Sequence, residues 1–425
     1  MTEKILTRNV GVPGSATIEV YEQRGGYQAF RKALTMAPEA VAEEVKKSGL
    51  RGRGGAGFPT GVKWGFMPKD SPKPRYLIVN ADESEPGTFK DRLLMEHDPH
   101  LVLEGTLITA HAIRAKMAFI YVRGEFVRPI RILERAVAEA RARGYVGANI
   151  LGSGTDCEVI VHSGAGAYIC GEETSLMESL EGSRGYPRLK PPFPAIVGLY
   201  GCPTTINNVE TLCNVPFIVA RGADWFLKIG RDAKNTGPKL YCMSGHVKKP
   251  GVYEFPLGAD LMMLINEAAG GIWKADRKLK AVVPGGASAP VLTADECRDL
   301  PMDFDSLMAR KSMLGSAGVM VMDDSVCMVR ALERILRFFA HESCGQCTPC
   351  RIGMDWIHRI VKRIETGGGQ EGDCETVLDV CDRMIGKTIC VFADAGALPA
   401  ISFVTKFRHE FDDHIRAGRC TLPEA

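Results

Sequence analysis

From Pro74 onward the chain alternates short apolar runs with amphipathic stretches, and this alternation restricts its fold more than any other feature. Residues 75–80 have the length and composition of a strand, residues 101–113 helical spacing, and residues 116–122 the pattern of a second strand. Residues 129–143 are helical again and residues 158–162 give a third strand. Strand, helix, strand, helix, strand at this spacing predicts a parallel sheet of α/β type. Polar, glycine-bearing segments follow each strand, at residues 80–87, 123–125 and 163–173. Ligands of open α/β sheets bind beyond the carboxyl ends of the strands, so topology locates a site before any motif is considered.

The flanks divide into three further regions. Residues 27–34 and 38–47 have helical spacing, with Pro38 suited to a first helical position, and a glycine-dense loop follows at residues 49–61. Past the third strand, a proline-rich connection (residues 187–194) leads to Asn207-Asn208, and residues 230–237 read as a linker. Residues 239–254, 257–269 and 279–292 read as strands, a helix and a further strand, a small α+β module. Residues 326–339, 351–364, 375–385 and 399–415 each carry apolar side chains at helical spacing, which predicts a four-helix bundle. The expected units are therefore residues 1–70 and 71–235 as one α/β domain, 236–325 as the small module, and 326–425 as the bundle.

Composition removes several classes of function. With 53 Lys and Arg against 51 Asp and Glu, the net charge of +2 gives no reason to expect nucleic acid as a partner. The longest apolar candidate, residues 101–122, is interrupted by Glu104, His111, Arg114 and Lys116, so no membrane span is expected. The opening Met1-Thr2-Glu3-Lys4 lacks a secretory or transit pattern, and fourteen cysteines are too dilute for a disulfide scaffold; a reducing cytosol is expected.

Three cysteines are closely spaced: Cys344, Cys347 and Cys350 give C-x2-C-x2-C. Such a loop wraps one face of an iron–sulfur cubane, with a distant cysteine closing the set. Zinc sites more often use pairs of cysteines or include histidine, and the radical-SAM spacing C-x3-C-x2-C is absent. Cys374, Cys381, Cys390 and Cys420 are candidates for the fourth ligand. Cys381 lies in an apolar helical stripe, Cys374 in an acidic glycine-flanked loop, and Cys420 near the end, where chains fray. Cys390, in an apolar segment between two helices, is the expected ligand.

Gly52-Arg-Gly-Gly-Ala-Gly57 satisfies G-x-G-x-x-G, but a helix precedes it and Phe58-Pro59 follows, so the dinucleotide fingerprint fails on context. No Walker A is present either. A run with so few side chains still lets backbone amides approach phosphates or a flat ring, with Lys63 as a point charge and Phe58 and Phe66 as stacking faces. The segment from Asn80 to Gly87 fails as a calcium loop, because the terminal position falls on Leu93. Its polar groups, and those around Glu172 and Glu173, suit hydrogen bonds to a heterocycle or ribose; the plainer reading is that Asp82 and Glu172 cap helices. Gly164 to Thr174 repeats the glycine-rich character, and its Cys170 reads as a buried thiol.

Taken in order, Arg51 to Gly61, Asn80 to Lys90, Gly164 to Thr174 and Glu342 to Arg351 closely resemble the NADH- and flavin-binding subunit of respiratory complex I, NADH:quinone oxidoreductase. The resemblance implies a Rossmann-like FMN-binding domain, a ubiquitin-like β-grasp module and a helical bundle carrying one [4Fe–4S] cluster. It implies hydride transfer from NADH to FMN and single-electron passage to the cluster, in a translocase-type enzyme. On this resemblance Gly52, Gly54, Lys63, Asn80, Asp82, Glu83, Ser84, Tyr168, Gly171, Glu172, Asn207, Asn208 and Thr211 line the FMN. Gly55, Ala56, Gly57, Phe58, Phe66, Glu85, Glu173 and Phe193 lie along the NADH, and Cys344, Cys347, Cys350 and Cys390 hold the cluster. No side chain is expected to act as catalytic acid or base; Glu83 and Glu173 position. The implied partners are a [2Fe–2S] thioredoxin-like subunit and a large iron–sulfur subunit, on the cytoplasmic face of the cell membrane. Two alternatives are a diaphorase subunit of an NAD-linked hydrogenase or formate dehydrogenase, and a structural iron–sulfur or zinc protein that binds a ligand. The absence of an added cysteine-rich domain favours the complex I form.

Overall fold

The computed structural model describes residues 3–68 and 70–422; Met1 and Thr2 of the opening segment lie outside them. Four helices lead in: α1 (Ile18–Gln23), α2 (Gln28–Leu34), α3 (Pro38–Lys47) and α4 (Thr60–Trp64). The α/β unit then runs β1 (Tyr76–Ala81), α5 (Lys90–His97), α6 (Pro99–Ile113), β2 (Met117–Val122), α7 (Val127–Ala142), β3 (Glu158–Ser163), α8 (Glu173–Leu180), β4 (Thr204–Asn208), α9 (Val209–Arg221) and α10 (Ala223–Leu227). The sheet order is β3-β2-β1-β4, parallel throughout. β4 lies outside the sequence expectation: Thr204-Thr-Ile-Asn-Asn208 has one apolar residue, and as an edge strand it needs no more.

Period-two alternation assigns each face of the sheet to a different core. Leu77, Val79 and Ala81 with Ala118, Ile120 and Val122 pack on the N-terminal helices. Every residue of α6 is buried, which explains its mostly apolar sequence, and its buried Glu104 is satisfied by the Tyr21 hydroxyl and the Phe30 amide. Ile78, Phe119, Tyr121 and Ile206 point the other way, into a core shared with α8 and the C-terminal helices. The sheet therefore stands between its own helices and the bundle.

The expected linker at residues 230–237 is instead a two-stranded hairpin, β5 (Gly230–Asp232) and β6 (Asn235–Thr236), held where the Asp232 carboxylate accepts the amides of Lys234 and Asn235. Next come β7 (Pro238–Gly245), β8 (Gly251–Pro256), α11 (Leu261–Met263), β9 (Leu279–Val283), β10 (Leu292–Thr293), α12 (Phe304–Ala309) and β11 (Gly318–Asp323). They form a five-stranded sheet of order β10-β9-β11-β7-β8, in which only the β11–β7 pairing is parallel.

The remainder is helical: α13 (Met328–Glu342), α14 (Thr348–Glu365), α15 (Asp373–Met384), α16 (Phe392–Lys406) and α17 (Arg408–Ala417). Five helices thus replace the expected four. The predicted helix starting at Pro399 begins seven residues earlier in the small-residue run after Phe392, keeps Pro399 in its interior, and breaks at Phe407. Cys374 lies in the first turn of α15 rather than in a loop, and its side chain is buried. Among the described residues, no helix is long and apolar enough to cross a membrane.

Candidate functional site

In-register pairing of Asn80 with both Tyr121 and Asn208, and of Val122 with Ser163, brings the loops after all four strands to one edge. The glycine loop lies across that edge. Its base is fixed where the Arg53 amide donates to the Thr211 hydroxyl (2.8 Å) and the Gly52 amide to the Phe58 carbonyl (2.9 Å). A side chain at Gly54 would put Cβ 2.9 Å from Cβ of Asn208, whereas Gly55, at φ +139°, faces open space. The amides of Gly54, Gly55, Ala56 and Gly57 have no partner among the described residues. A cradle with four unengaged donors and almost no side chains fits a phosphate-bearing planar cofactor.

The acidic residues divide by task. Asn80 donates to the Gly171 carbonyl (2.8 Å) and accepts the Asp82 amide (3.1 Å), so it ties two edge loops together. Asp82 accepts the Ser84 hydroxyl, and burial raises its pKa to about 7. Glu83 turns inward: its carboxylate oxygens accept the Asp91 and Arg92 amides at the start of α5 (2.7 and 2.9 Å), and burial raises its pKa. Glu85 accepts the Tyr168 hydroxyl (2.7 Å) and the Ser288 amide (2.8 Å), joining the edge to the small module.

Glu172 does cap α8, accepting the Thr174 and Ser175 amides, and its other oxygen meets Lys190 (3.0 Å). Asp82 caps no helix. Glu173 lies between two ammonium groups, Lys63 on one oxygen and Lys190 on the other, each at 2.9 Å. Burial alone would raise its pKa, but the two lysines hold it down at about 2. Asn207 accepts from the Trp64 indole (2.9 Å), while Asn208 caps α9 and donates to Asp91 (2.7 Å). Phe58 and Phe66 pair at 6.0 Å between centroids, and both rings, with that of Phe193, are largely exposed.

Sequence reasoning missed Lys190, Trp64 and the side chain of Arg53. Lys190 sits in the proline-rich connection and shows its role only through carboxylates 17 and 18 residues away. The fully buried Arg53 guanidinium reaches the Thr236 and Pro238 carbonyls (2.6 and 3.2 Å), anchoring the glycine loop to the small module. Beneath the edge, Lys90, Asp91, Glu210 and Lys239 form a buried ion cluster, with Lys90–Glu210 at 2.9 Å and Lys239–Glu210 at 2.7 Å.

The cysteine loop joins α13 to α14, with Cys347 as the N-cap of α14 and Cys350 in its first turn. The Ile389 amide donates to Cys347 Sγ (3.4 Å), which brings the Cys390 segment against the loop. No three of these four thiols offer sulfurs within 4.8 Å of one another. A single tetrahedral zinc with bonds of ~2.3 Å draws its sulfurs within about 4 Å, so the wider set fits a multi-iron cluster better. Burial raises the Cys390 thiol to about 12, so a thiolate there would require a nearby positive charge such as a metal ion supplies. Tyr168 joins the two regions: its ring packs edge-on against Phe338, Phe339 and Phe392, two residues beyond Cys390, while its hydroxyl holds Glu85.

Three family models match separate parts of the chain. Residues 45–217 match the family described as the Nuo51 FMN-binding domain. Residues 330–414 match the NADH-ubiquinone oxidoreductase-F iron-sulfur binding region, and residues 240–292 the SLBB domain. The chain is 56% identical over 421 residues to an NADH-quinone oxidoreductase F subunit, the one numbered 2, of Rhizobium meliloti, covering 99% of each chain. It is 52% identical to the NADH-quinone oxidoreductase F subunit of Mycobacterium bovis, covering 98% of this chain and 94% of the relative. Among solved structures, an NAD+-reducing [NiFe]-hydrogenase in the H2-reduced state superimposes with a TM-score of 0.85 at 36% identity, over 97% of this chain and 67% of that one.

Proposed function

The chain belongs to the family of NADH-quinone oxidoreductase F subunits, and from that premise we infer how its own residues serve the activity. It is the flavoprotein subunit of an NADH dehydrogenase, oxidising NADH through FMN and delivering electrons to a [4Fe–4S] cluster. When bound, FMN accepts two reducing equivalents together and releases them singly to the cluster, a division that side chains cannot perform.

The residues bind and orient. The free amide of Gly54, with Lys63, suits the phosphate end of the flavin, and those of Gly55, Ala56 and Gly57 suit the NADH lying along it. Asn80, Asp82, Ser84, Gly171, Asn207, Asn208 and Thr211 surround the same edge and would fix its ring and ribityl chain. Gly52, Glu83 and Glu172 shape that wall through loop and cap contacts, Glu83 by anchoring α5. The exposed rings of Phe58, Phe66 and Phe193 suit stacking with NADH, beside Glu85 and the lysine-clamped Glu173, whose carboxylate stays charged and stationary. Cys344, Cys347, Cys350 and Cys390 would hold the cluster, with Tyr168 packed between them and the flavin edge.

The observation that carries this reading is the convergence of the glycine loop and acidic segments at one sheet edge, with Tyr168 bridging to the cysteine loop. The five-stranded module takes the β-grasp role and the helices the bundle role. The assembly would be completed by a thioredoxin-like [2Fe–2S] subunit and a large iron–sulfur subunit, on the inner face of the membrane. Anaerobic addition of NADH to the purified chain should bleach the flavin absorbance; a colourless preparation, or flavin that stays oxidised, refutes the assignment. The structural match to an NAD+-reducing hydrogenase supports a second reading, a diaphorase subunit, and copurifying partners separate the two.

A further inference from the structure

Two of the ten cysteines outside the cluster set do more than pack. Cys327, His414 and Cys420 each offer a ligand atom within 4.8 Å of the others. Cys327 is the N-cap of α13 and accepts the Arg330 amide at 3.4 Å. His414, on α17, is fully buried, and its Nδ1 lies 2.7 Å from the Glu410 carbonyl oxygen. A carbonyl only accepts, so Nδ1 carries a proton and Nε2 is the ring nitrogen left to ligate. Nε2 faces Cys327 Sγ at 3.4 Å and a Glu365 carboxylate oxygen at 3.4 Å. The same oxygen lies 3.6 Å from Cys327 Sγ, and half-buried Cys420 closes the set from the tail beyond α17.

We propose that Cys327, His414, Cys420 and Glu365 form a structural zinc site. Two sulfurs, one imidazole nitrogen and one carboxylate make a tetrahedral donor set of the kind zinc prefers. The carbonyl behind His414 supplies the outer hydrogen bond that fixes a metal-binding imidazole. The Arg330 guanidinium, 2.6 Å from Glu365, offsets the negative charge that two thiolates and a carboxylate leave around a divalent ion. A surface cavity lined by Cys327, Arg330, Glu365 and Cys420 gives the ion a route in. The site is separate from the cluster: Cys347 caps one end of α14 and Glu365 closes the other, and eighteen residues of helix span ~27 Å. Zinc has no redox chemistry, so its role here is to clasp the start of α13, the end of α14 and the C-terminal tail.

The test uses the full chain purified with its cofactors. Elemental analysis should find about one zinc beside about four irons per chain. Zinc-edge X-ray absorption should show sulfur at ~2.3 Å and nitrogen or oxygen at ~2.0 Å. Cys327→Ser and Cys420→Ser should each lower zinc by at least about tenfold while iron and FMN stay unchanged. Cys390→Ala should remove iron and leave zinc in place. If Cys327→Ser fails to fold, Cys420→Ser decides, because it alters only a half-buried tail residue. The proposal is overturned by protein that takes up less than about 0.1 zinc per chain after incubation with zinc sulfate and desalting. It is equally overturned by zinc that survives both serine variants, or by peptide mapping that finds Cys327 and Cys420 joined in a disulfide.

Discussion

Replacing Phe58 by Ala tests the division between flavin and nucleotide surfaces most directly. Phe58 is 46% exposed and sits at the rim of the glycine loop, with Phe66 as its only ring neighbour among the described residues. A phenylalanine has about 200 Å² to bury, so roughly 90 Å² remains open for a stacked nicotinamide or adenine. At ~25 cal/mol per Å² that surface is worth about 2 kcal/mol, and partial takeover by Phe66 reduces it to about 1–2 kcal/mol. The KM for NADH should therefore rise about 5- to 30-fold. Because the exposed ring holds no buried core together, flavin content and thermal stability should stay at wild-type values. Steady-state oxidation of NADH with ferricyanide gives KM, and fluorescence of acid-released FMN gives occupancy. A KM within about twofold of wild type, or loss of FMN with NADH affinity intact, refutes the stacking role.

Three further outcomes follow from the geometry. Cys390→Ala should lower iron content yet leave NADH-dependent flavin bleaching intact, measured by elemental analysis and anaerobic titration; retained iron moves the fourth ligand elsewhere. Glu210→Gln strips the buried Lys90 and Lys239 of their shared carboxylate and should cost about 3–5 kcal/mol, read as a lower melting temperature. The paired change Glu210→Leu with Lys239→Met should recover part of that loss. Asp82, raised by burial from 3.8 to about 7, gives a pH-dependent result. Between those values the folded chain holds the proton more tightly than the unfolded chain, so stability falls as pH rises through that window. Asp82→Asn, which mimics the protonated form, should melt above wild type most at pH above about 7, with the gap narrowing as pH falls toward 3.8; a pH-independent difference removes the argument.

The sequence carried the parts of the fold whose signals are local. α3 begins and ends where its proline and apolar spacing predict, and the three apolar strands appear within a residue or two of their expected bounds. What failed depended on neighbours. β4 escaped because an edge strand ending in two asparagines has little apolar content, and the start of α16 escaped because its first turns are alanine and glycine packed against Met354 and Phe339. The candidate site shows the same limit. The motifs fall at the expected strand edge, but Glu83 spends both carboxylate oxygens on a helix seven residues downstream. No spacing rule reveals that. The Lys63–Glu173–Lys190 clamp joins three separate segments and has no linear signature.

The position of Tyr168 explains why the α/β domain, the module and the bundle share one chain. Its hydroxyl fixes Glu85, whose other oxygen takes the Ser288 amide of the module, and its own amide donates to Glu342 at the end of α13. Its ring meets the aromatic group of Phe338, Phe339 and Phe392. One residue thus spans all three units, within a core that the sheet and the bundle already share. Electron passage between a flavin edge and a cluster loop needs a fixed separation, and fixed separation needs a packed wall rather than a hinge. Arg53 and Glu210 extend the same principle, holding the glycine loop and α9 to the small module through buried charge. Phe58, Phe66 and Phe193 lie outside this packed wall and stay exposed, on the surface proposed above for NADH.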